Sequence, residues 1–217
     1  MEELELRQKL WALTSKIHSP SPLILQNKNF PTQIHLQDIF ISSKSQYYLE
    51  LGSGWCEVVI QLAKDFPDIG FIAMERKWDR LKRGAKLAED SQLMNLRFTA
   101  INFQWFLKDL FSANSIDTIL LNFPDPWPKN KHHKNRTIQM DFLEDLFQIL
   151  KPGGRFLFAT DHFGYARWTI RKLRAFQKFR WDSFEYSFQR PNLPISSFEK
   201  EKMELGKRIF YLERSKP

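Results

Sequence analysis

Tyr47-Tyr48-Leu49-Glu50-Leu51-Gly52-Ser53-Gly54 is a short β-rich run that stops on two closely spaced glycines. Behind it, Val58, Val59, Leu62 and Ala63 fall on one face at helical spacing, and Pro67 ends the pattern. A strand, a glycine turn and a helix open a βαβ unit. Downstream the alternation repeats. Residues 69–74 are strand-like and end on Glu75, and residues 78–90 mix charged and apolar positions as a surface helix does. Residues 96–101 and 116–123 read as strands, 138–150 as a helix, Lys151-Pro152-Gly153-Gly154 as a turn and 155–160 as a strand. A helix over 164–177 follows, and late strands at 179–188 and 208–212 flank an irregular segment. This order predicts an α/β fold whose seven-stranded sheet is mostly parallel and carries helices on both faces.

Upstream of the run the pattern weakens. Leu4, Leu10, Trp11 and Leu13 make a short amphipathic stretch, and Pro20, Pro22 and Pro31 follow. Residues 1–46 are therefore expected to form an N-terminal arm or lid, ahead of one domain over 47–217. A chain of 217 residues supports one α/β domain with a sizeable core, and 42% apolar residues with 20 Phe and 7 Trp predict packing rather than disorder.

The charge balance, 33 Lys plus Arg against 25 Asp plus Glu, leaves +8 and suits a polyanionic partner. Cys56 is the single cysteine, so no intrachain disulfide forms and a reducing compartment is expected. The start, Met1-Glu2-Glu3-Leu4-Glu5, is acidic where a signal peptide is basic and then apolar, and no apolar run spans a bilayer. A cytoplasmic protein without a membrane partner is expected, and nothing in the sequence selects between monomer and homodimer.

Parallel sheets bind ligands beyond the carboxyl ends of their strands. The residues there are Gly52 to Gly54, Glu75, Asn102, the proline-rich loop 124–128 and Asp161. Glycines at 52 and 54 let a ligand approach the backbone. A dinucleotide turn needs a third glycine where Glu57 stands, and a carboxylate at that point repels a pyrophosphate. S-adenosylmethionine has no phosphate and is cationic at its ammonium and sulfonium, so an acidic Glu50 beside the turn suits it. Glu75, 21 residues past Gly54, stands where a carboxylate accepts from both ribose hydroxyls of an adenine nucleoside.

Asn122-Phe123-Pro124-Asp125-Pro126-Trp127-Pro128-Lys129 follows the fourth strand. Three prolines in five residues stiffen it, holding Asp125 and Trp127 at the mouth of the site, where a flat ring can stack a base. The next residues, Lys129-Asn130-Lys131-His132-His133-Lys134-Asn135-Arg136, carry four fixed positive charges and no acid, which favours phosphate. Adjacent histidines splay apart and no further Cys or His ligand set stands nearby, so no metal is expected. A second basic stretch over 165–180 holds six Lys or Arg, Arg171 and Arg174 among them, and no acid.

Phe123-Pro124-Asp125-Pro126-Trp127-Pro128-Lys129, followed by His132-His133-Lys134-Asn135-Arg136, resembles the hallmark loop of the bacterial tRNA (guanine-N7)-methyltransferases. The likeness extends to Glu50-Leu51-Gly52-Ser53-Gly54, Ala159-Thr160-Asp161 and Ser196-Ser197-Phe198-Glu199, and covers most of the chain from Leu49 onward. The resemblance implies a Rossmann-like class I methyltransferase domain over 47–217. It implies methyl transfer from S-adenosylmethionine to N7 of a guanosine in tRNA, at position 46 of the variable loop. By motif, Glu50, Gly52, Gly54, Glu75, Asn102 and Asp125 would line the cofactor, with Asp125 also the catalytic carboxylate. Lys129, Asp161, Ser196, Ser197, Phe198 and Glu199 would contact the substrate, and Lys131, Lys134, Arg136, Arg171 and Arg174 the RNA backbone. Two positions depart from the family pattern. Asn102 replaces an acid near the adenine, and Ser196-Ser197 replaces Thr-Lys ahead of Phe198. The competing readings are an amino-group methyltransferase acting on another RNA or on protein, and a non-catalytic RNA-binding protein on the same fold.

Overall fold

The computed structural model describes residues 2–14, 19–26, 33–181 and 184–217. Helix α1 (Glu2–Thr14) precedes β1 (Gln46–Leu51), α2 (Glu57–Asp65), β2 (Ile69–Met74), α3 (Trp78–Asp90), β3 (Leu96–Thr99), α4 (Phe103–Leu110) and β4 (Ile116–Asn122). A 3-10 turn at Asn130–Asn135 leads to α5 (Met140–Ile149), β5 (Leu150–Thr160), α6 (Phe163–Phe176), α7 (Ser197–Glu204) and β6 (Phe210–Ser215). The strand order is β3-β2-β1-β4-β5-β6, parallel through β5 and closed by an antiparallel β6. This is the expected α/β architecture, with the order reversing between β1 and β4.

Strands buried on both faces read as near-continuous apolar runs, because successive side chains enter opposite cores. In β2, Ile72 and Met74 join the core under α4, α5 and α6, while Phe71 and Ala73 join the one under α2 and α3. Pro152, Gly153 and Gly154 do not end the strand. They form an irregularity in β5, where two steps along β4, from Ile116 to Thr118, face five along β5, from Leu150 to Arg155.

Three features differ from expectation. Among the described residues the sheet has six strands, not seven. The stretch 179–188 contributes only isolated bridges, Arg180 to Ser215 and Ser187 to Tyr211. Between them the Arg214 guanidinium donates to the Glu185 carbonyl at 2.7 Å, a side chain answering backbone that a neighbouring strand would otherwise pair. Residues 182 and 183 of that stretch lie outside the described residues. Helix α4 was hidden in an aromatic run without clear period, although Asn102 caps it by accepting from the Gln104 amide at 3.0 Å. Helix α7 stands in the segment read as irregular.

Described parts of the stretch before β1 pack on the body. Ile24 bridges Phe98 on the outer edge of β3, with Leu25 N donating to Phe98 O at 2.8 Å and Phe98 N to Leu23 O at 2.9 Å. Trp11 is buried edge-on against Phe106, and Ile34 N donates to the Leu110 carbonyl. Pro31 lies outside the described residues.

Candidate active site

The site is assembled at the carboxyl edge of the sheet, where β1 and β4 part to opposite sides. Glu50 faces β4, and its Oε1 accepts from Asn122 Nδ2 at 3.3 Å. Its other oxygen is buried and has no hydrogen-bond partner. Burial raises the Glu50 pKa from 4.5 to about 7; the Asn122 hydrogen bond offsets this only in part. An orphaned buried oxygen at a carboxyl that resists ionising wants a cation.

Gly52 and Gly54 hold the turn after β1 in the left-handed region, at φ 71° and 56°. Gly52 N and Ser53 N both donate to the Met74 carbonyl, at 2.8 and 3.0 Å. Glu75 is also buried, and it serves the scaffold: one oxygen accepts from Gly54 N at 2.9 Å, the other from Lys77 N at 2.7 Å. It clamps the glycine turn to the β2–α3 turn, leaving one lone pair per oxygen for a ligand. Asn102 is buried at the head of α4, where its oxygen is committed to the cap.

The loop after β4 is tethered at both ends. Phe123 N donates to the Ala159 carbonyl at 2.8 Å, so the starts of the Asp125 and Asp161 segments lie side by side. Phe123 and Trp127 take left-handed φ values of 49° and 40°, a conformation that costs a non-glycine residue on the order of 1 kcal/mol or more. Arg136 sustains it. Its Nε donates to Pro126 O at 2.8 Å and Nη2 to Trp127 O at 3.4 Å, and its guanidinium lies 5.1 Å from the Tyr165 and Trp168 ring centres. At 3% exposure Arg136 is no free RNA-backbone contact; it is the strut of the loop, and burial lowers its pKa. Asp125 itself is exposed, as are Lys129, Lys131 and Lys134, while His132 packs on Trp127 and His133 on Trp168.

Residues 196–199 bridge the cofactor turn and this loop. Ser196 Oγ caps α7 by accepting from Glu199 N at 3.2 Å, which is half of a Ser-x-x-Glu capping box. Ser197 donates from N, at 2.7 Å, and from Oγ to the Glu57 carboxylate at the head of α2. Phe198 meets Phe123 at 5.2 Å between ring centres and keeps an exposed face. Glu199 departs from the expectation of direct substrate contact. It is 1% exposed, and Arg190 and Tyr211 each occupy one of its oxygens. Arg190, which also donates to the carbonyls of Leu193 and Pro194, went unread in the sequence because its partners lie along a loop with no regular period.

The family model described as "Putative methyltransferase" matches residues 44–212. A tRNA (guanine-N(7)-)-methyltransferase of Leptospira interrogans is 43% identical over 97% of this chain and 96% of its own length. The protein of the same name from Nitrosomonas europaea is 37% identical over 74% of this chain and 72% of its own. Among solved structures, the aminoglycoside resistance methyltransferase NpmB1 aligns with a TM-score of 0.57 at 17% identity, covering 82% of this chain and 90% of its own. TrmN from Thermus thermophilus aligns at 0.56 and 17%, covering 84% and 47%. At such identities the likeness concerns the fold: a Rossmann-like class I methyltransferase sheet.

Proposed function

The chain belongs to the tRNA (guanine-N7)-methyltransferase family, and from that premise we propose that it methylates N7 of a guanosine in tRNA, at position 46 of the variable loop, using S-adenosylmethionine. Residues 47–217 are the catalytic domain, and the described residues ahead of it pack on its body. The observation that carries the reading is the buried, unpartnered Glu50 oxygen one strand away from the loop bearing Asp125. It fits a cationic, phosphate-free nucleoside.

S-adenosylmethionine, when bound, supplies a methyl group activated by its sulfonium. Glu50 answers its positive charge, Gly52 and Gly54 admit its close approach, Glu75 accepts from its ribose, and Asn102 stands at the adenine end. Guanine N7 carries an in-plane lone pair and needs no deprotonation, so the protein contributes alignment and electrostatics rather than a strong base. Asp125 and Asp161 are the carboxylates placed to stabilise the charge that grows on the guanine ring and to accept from its N1–H and amino group. Phe198 offers a ring face to the base and Lys129 a cation beside it. Ser196, Ser197 and Glu199 position that segment, while Lys131, Lys134, Arg171 and Arg174 face the RNA backbone.

Unmodified tRNA incubated with the enzyme and labelled S-adenosylmethionine should acquire label, and borohydride–aniline cleavage should cut the product at the modified guanosine. Asp125→Ala should lower kcat by at least tenfold with S-adenosylhomocysteine affinity reduced less. Labelled tRNA resistant to that cleavage, or an Asp125→Ala enzyme as active as wild type, contradicts the assignment.

A further inference from the structure

Glu57 is the first residue of α2, directly behind the glycine turn and Cys56. Its side chain is exposed, yet both of its oxygens are engaged. One accepts from Ser197 N at 2.7 Å and the other from Ser197 Oγ. Both donors belong to the first residue of α7, 140 positions along the chain. The carboxylate thus stands between the N-termini of two helices, where open amides and the positive ends of both dipoles favour an anion. It caps an α7 amide from another helix, while Ser196 Oγ takes Glu199 N.

The two ends of this contact differ in how firmly they are held. Ahead of Glu57, Cys56 is fully buried against Gly84 of α3 and fixes the head of α2. Ser197 follows a stretch, 188–196, that forms neither helix nor strand, so its place depends on side-chain contacts. Three consecutive residues supply them, each from a different element. Ser197 takes Glu57 of α2, and Phe198 packs on Phe123 after β4 at 5.2 Å between ring centres. Glu199 accepts from Tyr211 of β6 and from Arg190. Phe198 sets the segment against the loop bearing Asp125, and Ser197 sets it against the cofactor turn.

In-line methyl transfer needs donor and acceptor aligned, and a misplacement of about 1 Å can cost on the order of a hundredfold in rate. We infer that Glu57 is a positioning residue: through Ser197 it holds the substrate segment in register with the cofactor turn. This role rests on the proposed function for which ligand lies on each side. It also answers one departure from the family pattern, since Ser197 stands in place of Lys and brings a hydroxyl and an amide to one carboxylate.

Hydrogen bonds between exposed groups add little to global stability, so Glu57→Ala should melt within about 2 °C of wild type. In the ligand-free variant, hydrogen exchange at the amides of residues 196–199 should quicken severalfold, because the Ser197 amide loses its acceptor. At saturating cofactor and tRNA, kcat should fall about tenfold, while S-adenosylhomocysteine affinity stays at wild type and tRNA binding changes less than kcat. Glu57→Gln keeps an acceptor for Ser197 and loses the charge, so it should restore most of kcat. Adding Ser197→Ala to Glu57→Ala should cost little more, since the partner of the hydroxyl is already gone. Wild-type exchange or wild-type kcat in Glu57→Ala overturns the proposal. Equal losses in the Gln and Ala variants also overturn it, leaving Glu57 as a charge on the α2 dipole. So does a fall in S-adenosylhomocysteine affinity that matches the fall in kcat, which would place Glu57 in the cofactor site. Exchange is read on the ligand-free protein, so a wild type that leaves guanine N7 unmethylated would sink the assigned activity and not the hold of Glu57 on Ser197.

Discussion

Glu50 is the residue whose proposed role in holding the cofactor carries a cost to folding. Its carboxyl sits in a buried corner, and desolvation raises its pKa from 4.5 to about 7 even though the Asn122 amide, the Val59 backbone N–H and the Arg190 charge pull the other way. A carboxyl whose folded value exceeds its unfolded value binds its proton more tightly when folded, so stability falls as pH climbs from 4.5 through about 7 and stays reduced above that. Glu50→Gln removes the titration. Relative to wild type, it should gain up to about 3 kcal/mol at pH 8 and little at pH 4, measured by urea denaturation of the ligand-free protein. On the proposed role of Glu50, S-adenosylhomocysteine should bind the variant more weakly, because the anion meant to answer its ammonium is gone. A stability difference independent of pH would remove the desolvated carboxyl from the account. Glu199 is the contrasting case: equally buried, it is satisfied by Arg190 and Tyr211, and its role is to hold the segment over the site.

At the scale of elements, the cofactor turn depends on how α3 packs behind it. Cys56 ends the turn at a left-handed φ of 62°, and burial pushes its thiol up to about 12, so it acts as an inert apolar plug. Gly84 of α3 makes room for that plug; a Cβ there would stand 2.6 Å from Cys56 Sγ and 3.2 Å from the Phe98 ring. Alanine is otherwise the better helix former by roughly 1 kcal/mol, so a purely local effect would be stabilising. Packing reverses the sign. Gly84→Ala should lower stability by about 1–3 kcal/mol, and S-adenosylhomocysteine affinity should fall with it because the displaced residue closes the turn. An unchanged or higher melting temperature would mean that the two helices part without strain. The proline-rich loop is held similarly, by a guanidinium brought in from ten residues downstream rather than by its prolines alone.

Across the whole molecule, the described residues ahead of β1 complete the cores on both faces of the sheet. Leu23 and Ile24 enter the core under α2 and α3, and Trp11, Ile34, Leu36 and Phe40 the opposite one. The bridge at Ile24 also covers the outer edge of β3, which would otherwise offer unpaired backbone to another chain. A segment acting purely as a substrate lid would leave stability untouched when truncated. Trp11, 3% exposed against Phe106, should behave as core, with Trp11→Ala costing about 3–5 kcal/mol in denaturant unfolding. Cofactor affinity at temperatures where the variant stays folded should be near wild type, since Trp11 is outside the glycine turn. A loss below 1 kcal/mol would return this stretch to the role of a detachable arm.

The local sequence determined the strand–turn–helix order, the two-faced burial of the parallel strands and the ends at which ligands gather. Each rests on period, on glycine's backbone freedom or on proline's stiffness, and these act within a few residues. It also carried the hallmark loop and with it the family. Only the tertiary structure separated residues of identical chemistry. Lys131, Lys134 and Arg136 look alike in one basic run, yet two are exposed and the third is buried under Tyr165 and Trp168, positions its own segment does not contain. Glu199 reads as a free carboxylate until Arg190 and Tyr211 reach it. The seventh strand failed for the same reason, since a ladder needs a neighbour in register and Arg214 answered the backbone instead. Charge and propensity belong to the residue; desolvation and partnership belong to the packed chain.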